Sequence, residues 1–192
     1  MTGRTHDLGA VTALGIAFLV LAPTNITLST AIIAILANLI GGITPDIDQP
    51  TAPLWRNLPV GRYFGRFFGL LSGGHRFLTH SLLGTALIGW LAWLFLNFLH
   101  PIMGIVDIRT VWVAFMIGVL SHLLFDLFTK EGVPLLLPVP IKFGFPPVRT
   151  LRITTGKFIE NFIVFPGLLV VNLLIYMINY GQLLALLHSF KA

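Results

Sequence analysis

Ser-His-Leu-Leu-Phe-Asp, residues 121–126, sets an imidazole and a carboxylate four positions apart. On a helix this spacing brings His122 and Asp126 onto one face, where they can share a metal ion or simply pair with each other. The same residue types recur in three other places: His6, the Asp46 and Asp48 of Pro45-Asp46-Ile47-Asp48, and the His75 and His80 of His75-Arg76-Phe77-Leu78-Thr79-His80. Each has a plain structural reading as well. His122 and Asp126 can be a buried pair, the aspartates a turn or helix cap after Pro45, and His75 and His80 interfacial residues near a helix with Thr79 as its N-cap. Taken together, imidazoles and carboxylates form a nitrogen–oxygen donor set that suits zinc first, and manganese or magnesium next. The chain has no cysteine, which excludes disulfides, thiolate ligands and a cysteine nucleophile.

The chain around these residues is strongly apolar. Hydrophobic residues make up 56% and charged residues 10%, with mean hydropathy +0.90. Soluble domains hold roughly 45–50% apolar and about 25% charged residues. The composition is that of an integral membrane protein. In such a setting a carboxylate is costly unless it has a task, so seven acidic residues in 192 are worth placing one by one. The net charge of +5 reads as a topology signal and not as nucleic-acid binding.

Five uncharged or nearly uncharged runs are long enough to span a bilayer, at about residues 8–22, 27–43, 79–99, 110–128 and 166–187. Pro23-Thr24-Asn25 is the hairpin between the first two, and His100-Pro101 is the expected end of the third. The first run is read as a retained span. The expected fold is all-α, one integral-membrane domain over residues 1–192, with about five transmembrane helices. With five spans, Arg4, Arg56, Arg62, Arg66, Arg76, Lys130, Lys142, Arg149, Arg152 and Lys157 share one side, against Arg109 and Lys191 on the other. That bias makes the basic side, including the N-terminus, cytoplasmic in the cell (inner) membrane.

All four clusters of chemistry-bearing residues fall on that same side. His6 precedes span one, Asp46 and Asp48 follow span two, His75 and His80 lead into span three, and His122 and Asp126 close span four. One metal centre at the cytoplasmic end explains this better than four coincidences do. Arg76 and Lys130 are then candidates to hold a phosphate, with snorkelling arginine and lysine as the ordinary alternative. Glu160 is a candidate base or extra ligand, or else a helix-start residue. The run Trp55 to Gly69 mixes aromatic and basic residues and reads as an interfacial segment among anionic headgroups, or as an amphipathic connector.

The order His6, Pro45-Asp46-Ile47-Asp48, His75-Arg76-Phe77-Leu78-Thr79-His80-Ser81, then Ser121-His122-Leu123-Leu124-Phe125-Asp126 with Thr129 and Gly132, resembles the YdjM-type family of membrane-bound metal-dependent hydrolases. That family is distantly similar to zinc-dependent phospholipase C. The resemblance covers roughly residues 1 to 160 and departs at Phe77, where the family has glycine after His-Arg. It implies as ligands His6, Asp46 or Asp48, His75 or His80, His122 and Asp126. It further implies one or two divalent ions and membrane lipids as partners. The function expected is hydrolysis of a phosphoester, a phospholipid among the candidates, with Asp48 in water activation. The alternative is a non-catalytic divalent-cation carrier, but such carriers place ionisable groups near the bilayer midplane. The midplanes of spans two, three and four hold none.

Overall fold

A computed structural model describes residues 1–21, 26–56, 58–71, 73, 76–139 and 141–189, the side chains of 53–54 and 185–189 excepted. The Pro23-Thr24-Asn25 hairpin and His75 lie outside the described residues. The helices are α1 (Gly3–Leu21), α2 (Leu28–Ile43), α3 (Pro53–Arg56), α4 (Gly61–Leu71), α5 (Leu82–Met103), α6 (Ile108–Leu127) and α7 (Phe165–Ser189). A 3₁₀ turn, Thr44–Asp48, extends α2, and a π-helical turn, Glu160–Val164, leads into α7. Five of these helical segments are long and apolar enough to cross a membrane. Among the described residues there is no β-strand, only two isolated bridges, Thr129 with Ile153 and Val133 with Phe143. The protein is an all-α membrane bundle.

Helix α6 is the central element. It meets α2 at glycines: a Cβ on Gly118 would stand 2.1 Å from the Asn38 carbonyl, and one on Gly41 2.1 Å from that of Phe115. Small residues allow this approach of two backbones, which is how helices associate where lipid offers no hydrophobic drive. Asn38, fully buried, adds a hydrogen bond from Nδ2 to the Ala114 carbonyl at 3.0 Å. On another side α5 docks through Gly89, whose carbonyl accepts from Trp112 Nε1 at 2.7 Å. Helix α1 packs Gly9 against Phe125. Helix α7 lies outermost on α1, tied by Asn172 Nδ2 to Thr12 Oγ1 at 2.6 Å. Its outward Leu173, Leu174 and Ile178 are exposed, as a lipid-facing surface requires.

The helix boundaries depart from expectation at three places. α1 begins at Gly3 rather than near residue 8, because the Thr2 carbonyl accepts from the Thr5 and His6 amides. His6 is therefore a first-turn helical residue. α5 continues past the expected His100-Pro101 stop to Met103 and ends at Gly104, φ +53°. A proline so near the C-terminus costs one hydrogen bond in the last turn rather than breaking the helix. The N-cap of α5 is Ser81, which accepts from the Gly84 amide at 2.9 Å, and not Thr79. Thr79 is engaged elsewhere. At the far end of the bundle Asp107 caps α6, and the Thr110 hydroxyl bonded to it holds its carboxyl below the usual range.

Candidate metal centre

His6, Asp46, His80, His122 and Asp126 converge at one end of the bundle. They come from the first turn of α1, the 3₁₀ turn after α2, the approach to α5 and the last turns of α6. His6, His80, His122 and Asp126 are at most 1% exposed, and Asp46 is 18% exposed on its side chain. Their donor atoms form two triads, His6–His122–Asp126 and Asp46–His80–His122, each with all atoms within 4.8 Å of one another.

The carboxylates sit between the rings. Asp126 Oδ1 is 3.4 Å from His6 Nε2, while its Oδ2 is 3.5 Å from His80 Nε2 and 3.9 Å from His122 Nε2. Asp46 Oδ1 is 3.7 Å from His80 Nε2 and 3.6 Å from His122 Nε2. Two donors on one zinc-sized ion, with bonds of about 2.1 Å, stand at most about 4.2 Å apart. All five separations meet that limit. The His6 and His122 rings stack, centroids 3.7 Å apart and planes 9° from parallel.

The hydrogen bonds behind the rings decide which nitrogens carry protons. His122 Nδ1 is 2.6 Å from the Gly42 carbonyl, which only accepts, so Nδ1 bears the hydrogen and the neutral ring keeps its Nε2 lone pair. For His80 the chain is longer. The Thr79 hydroxyl donates its single proton to Asp48 Oδ2 at 2.6 Å, so at 3.0 Å it must accept from His80 Nδ1. His80 therefore turns its Nε2 toward the carboxylates. A ring whose far nitrogen is fixed by a carbonyl or hydroxyl is the arrangement of a metal-ligating histidine. Among the described residues His122 Nε2 and both His6 nitrogens have no hydrogen-bond partner, although all are buried. Buried lone pairs without donors fit a bound cation.

Two cationic groups also stand at Asp126. The Met1 amine contacts Oδ1 at 2.5 Å, and Arg76 Nη2 lies 2.7 Å from Oδ2. Arg76 adopts φ +60°, which turns its amide toward Asp48 Oδ2 at 3.1 Å and its guanidinium inward, with Nη1 3.4 Å from Thr129 Oγ1. Its side chain is 11% exposed, so it is held over Asp126 instead of snorkelling outward. The bridging role of Thr79 was not marked by sequence spacing; a threonine beside a histidine was the one available signal.

The other candidates have different surroundings. Asp48, 1% exposed, gives Oδ2 to Thr79 and to the Arg76 amide and belongs to neither triad among the described residues. Glu160 is fully buried and outside both triads: Oε1 accepts from the Thr2 amide and hydroxyl and from the Thr5 hydroxyl, and Oε2 from the Gly156 amide. It clamps the start of α1, and so His6, to the entry of α7. Lys130 lines an open cavity of about 400 Å³ with Glu131, Arg149, Thr150, Thr154 and Thr155.

A family model described as YdjM inner membrane protein matches residues 1–187. The chain belongs to the YdjM inner membrane protein family. Among relatives, it is 28% identical to YvsG of Bacillus subtilis over 184 residues, 95% of this chain and 99% of that protein. It is 34% identical to the inner membrane protein YdjM of Escherichia coli over 126 residues, 63% of this chain and 56% of that one. It thus spans little more than half the length of the E. coli relative. No solved structure matches the chain. The match with this YdjM-family model includes all five converging residues.

Proposed function

We propose that this YdjM-family protein is a membrane-bound, metal-dependent hydrolase acting on a phosphoester at the cytoplasmic face of the inner membrane. The observation that carries the reading is the set of buried histidine and aspartate lone pairs gathered at one end of the bundle, with His80 and His122 held in the ligand tautomer. His6, Asp46, His80, His122 and Asp126 would hold one or two divalent ions, zinc first among them. Such an ion supplies an activated water near neutral pH and polarises a phosphoryl oxygen.

The chain's own groups have separable tasks. Asp126 faces His6 with one oxygen and His80 and His122 with the other, so its carboxylate can bridge two neighbouring positions. Asp48 is a positioning residue: through Thr79 it orients His80, and through the Arg76 amide it fixes that arginine's unusual backbone. The Arg76 guanidinium, with Nε unpartnered among the described residues, would carry the negative charge of a phosphoryl group beside Asp126. Lys130, in its neighbouring cavity, would hold the rest of an anionic substrate.

The alternative, a divalent-cation carrier, fits less well. The ligating groups lie in the first turn of α1 and the last turns of α6, at the bundle's end, whereas a carrier needs its site near the midplane. The test is hydrolysis by purified protein of a panel of lipid phosphoesters. Turnover that a chelator abolishes and zinc or manganese restores is expected; turnover that survives chelation overturns the mechanism. Failure on every phosphoester, together with cation flux in liposomes, selects the carrier.

A further inference from the structure

Helix α4 stands apart from the five long helices, and its three faces differ in kind. At 3.6 residues per turn, Gly61, Gly65 and Gly69 share one edge, Arg62 and Arg66 the adjoining one, and Tyr63, Phe64, Phe67, Leu70 and Leu71 the opposite face. The glycine edge is the packed one. A Cβ on Gly65 would stand 2.7 Å from Pro50 Cα, and one on Gly69 2.7 Å from the Asp48 carbonyl. The helix thus rests on the segment that carries Asp46 and Asp48. Trp55 completes the support, stacking on Phe64 and Phe68 while its Nε1 donates to the Ile47 carbonyl at 2.8 Å.

Apart from Phe64 against Trp55, the opposite face is largely open among the described residues. Tyr63 is 71%, Leu70 83% and Leu71 65% exposed, and Arg62 and Arg66 are exposed beside them. Eleven residues are too few to cross a bilayer, so this apolar face can reach hydrocarbon only by lying along the surface. Arginines flanking the apolar face then sit at headgroup level, where anionic lipid complements them. Neither Arg62 nor Arg66 has an acidic partner within ion-pair distance among the described residues.

We propose that α4 is a membrane-surface helix that seats anionic phospholipid on Arg62 and Arg66 with its aromatic face in the acyl boundary, directly behind the Asp46–Asp48 turn. The helix thereby fixes the depth of the candidate metal centre and enriches negatively charged headgroups beside it. This surface does not depend on the proposed catalysis.

The cysteine-free chain allows a direct test. A fluorophore is attached to Leu70→Cys in the full-length protein, reconstituted in vesicles that contain brominated phosphatidylcholine or brominated phosphatidylglycerol. A second labelled variant, Thr150→Cys, is the aqueous control. The expected result is strong quenching at position 70 and little at 150, with phosphatidylglycerol quenching more at equal mole fraction. Replacing both arginines, Arg62→Gln with Arg66→Gln, should lower the phosphatidylglycerol preference by up to about thirtyfold, taking the usual contribution of a basic residue at an anionic surface for each. Quenching at 70 no greater than at 150 overturns the surface location. Equal quenching by the two lipids, or a preference that survives the double substitution, overturns the anionic site. Phe67→Cys serves as a second reporter should the Leu70 variant fail to fold.

Discussion

Thr79→Val removes one oxygen and keeps the side chain's volume, which makes it the sharpest probe of how the centre is held. The lost hydroxyl donates to Asp48 Oδ2 at 2.6 Å and accepts from His80 Nδ1 at 3.0 Å. Without it, the His80 ring has no fixed tautomer from this side, and Asp48 Oδ2 loses one of its donors while keeping the Arg76 amide at 3.1 Å. A hydrogen bond to a charged group contributes about 1.5–3 kcal/mol. Loss of such an outer contact typically weakens metal binding by roughly 10–100-fold. The expected effect is therefore a tenfold or greater rise in the zinc Kd, measured by competition against a chromophoric chelator. Thr79→Ser, which keeps the hydroxyl, should stay within about threefold of wild type, well below that range. A melting curve for each variant separates ligand loss from unfolding. Wild-type zinc affinity in a folded Thr79→Val protein would refute the reasoning.

Three further outcomes follow from the packing and the clamp. Gly118→Ala places a methyl 2.1 Å from the Asn38 carbonyl and should cost about 1–3 kcal/mol by forcing α2 and α6 apart, read as a lower unfolding midpoint. Glu160→Ala removes the acceptor of three hydrogen bonds at the start of α1 and one from Gly156, so the amides around Thr2 and Thr5 should exchange faster and metal affinity fall with them. Thr150→Cys in intact cells should resist an impermeant thiol reagent if the basic connections follow the positive-inside rule; rapid labelling from outside would invert the topology.

Much of this arrangement was legible because the chain is so apolar. In such a chain each His or Asp stands out, and their positions relative to five hydropathy runs placed them at one end before any helix was seen. His122 and Asp126 were readable as one face from their spacing alone. Other features were set by tertiary context. Spacing could not choose between Asp46 and Asp48, because a 3₁₀ turn rather than a strand or α-helix carries them and sends one toward the rings and the other under Thr79. Thr79 was expected to cap α5, but a hydroxyl next to a buried carboxylate is held by the charge, and Ser81 takes the cap. The His100-Pro101 stop failed because a proline in a last turn removes only one bond. Glu160 could not be told from a ligand by type; its four donors come from the other end of the chain and from a loop glycine.

The most direct test of the central claim is the metal content of the purified protein, wild type beside His122→Ala and Asp126→Ala. The account predicts stoichiometric zinc or another divalent ion in the wild type, reduced in both variants while their folds persist, since His122 aims an unpartnered Nε2 into the centre and Asp126 stands between the three imidazoles. A wild-type protein that takes up no divalent ion when zinc and manganese are offered, or variants that retain it undiminished, would contradict it.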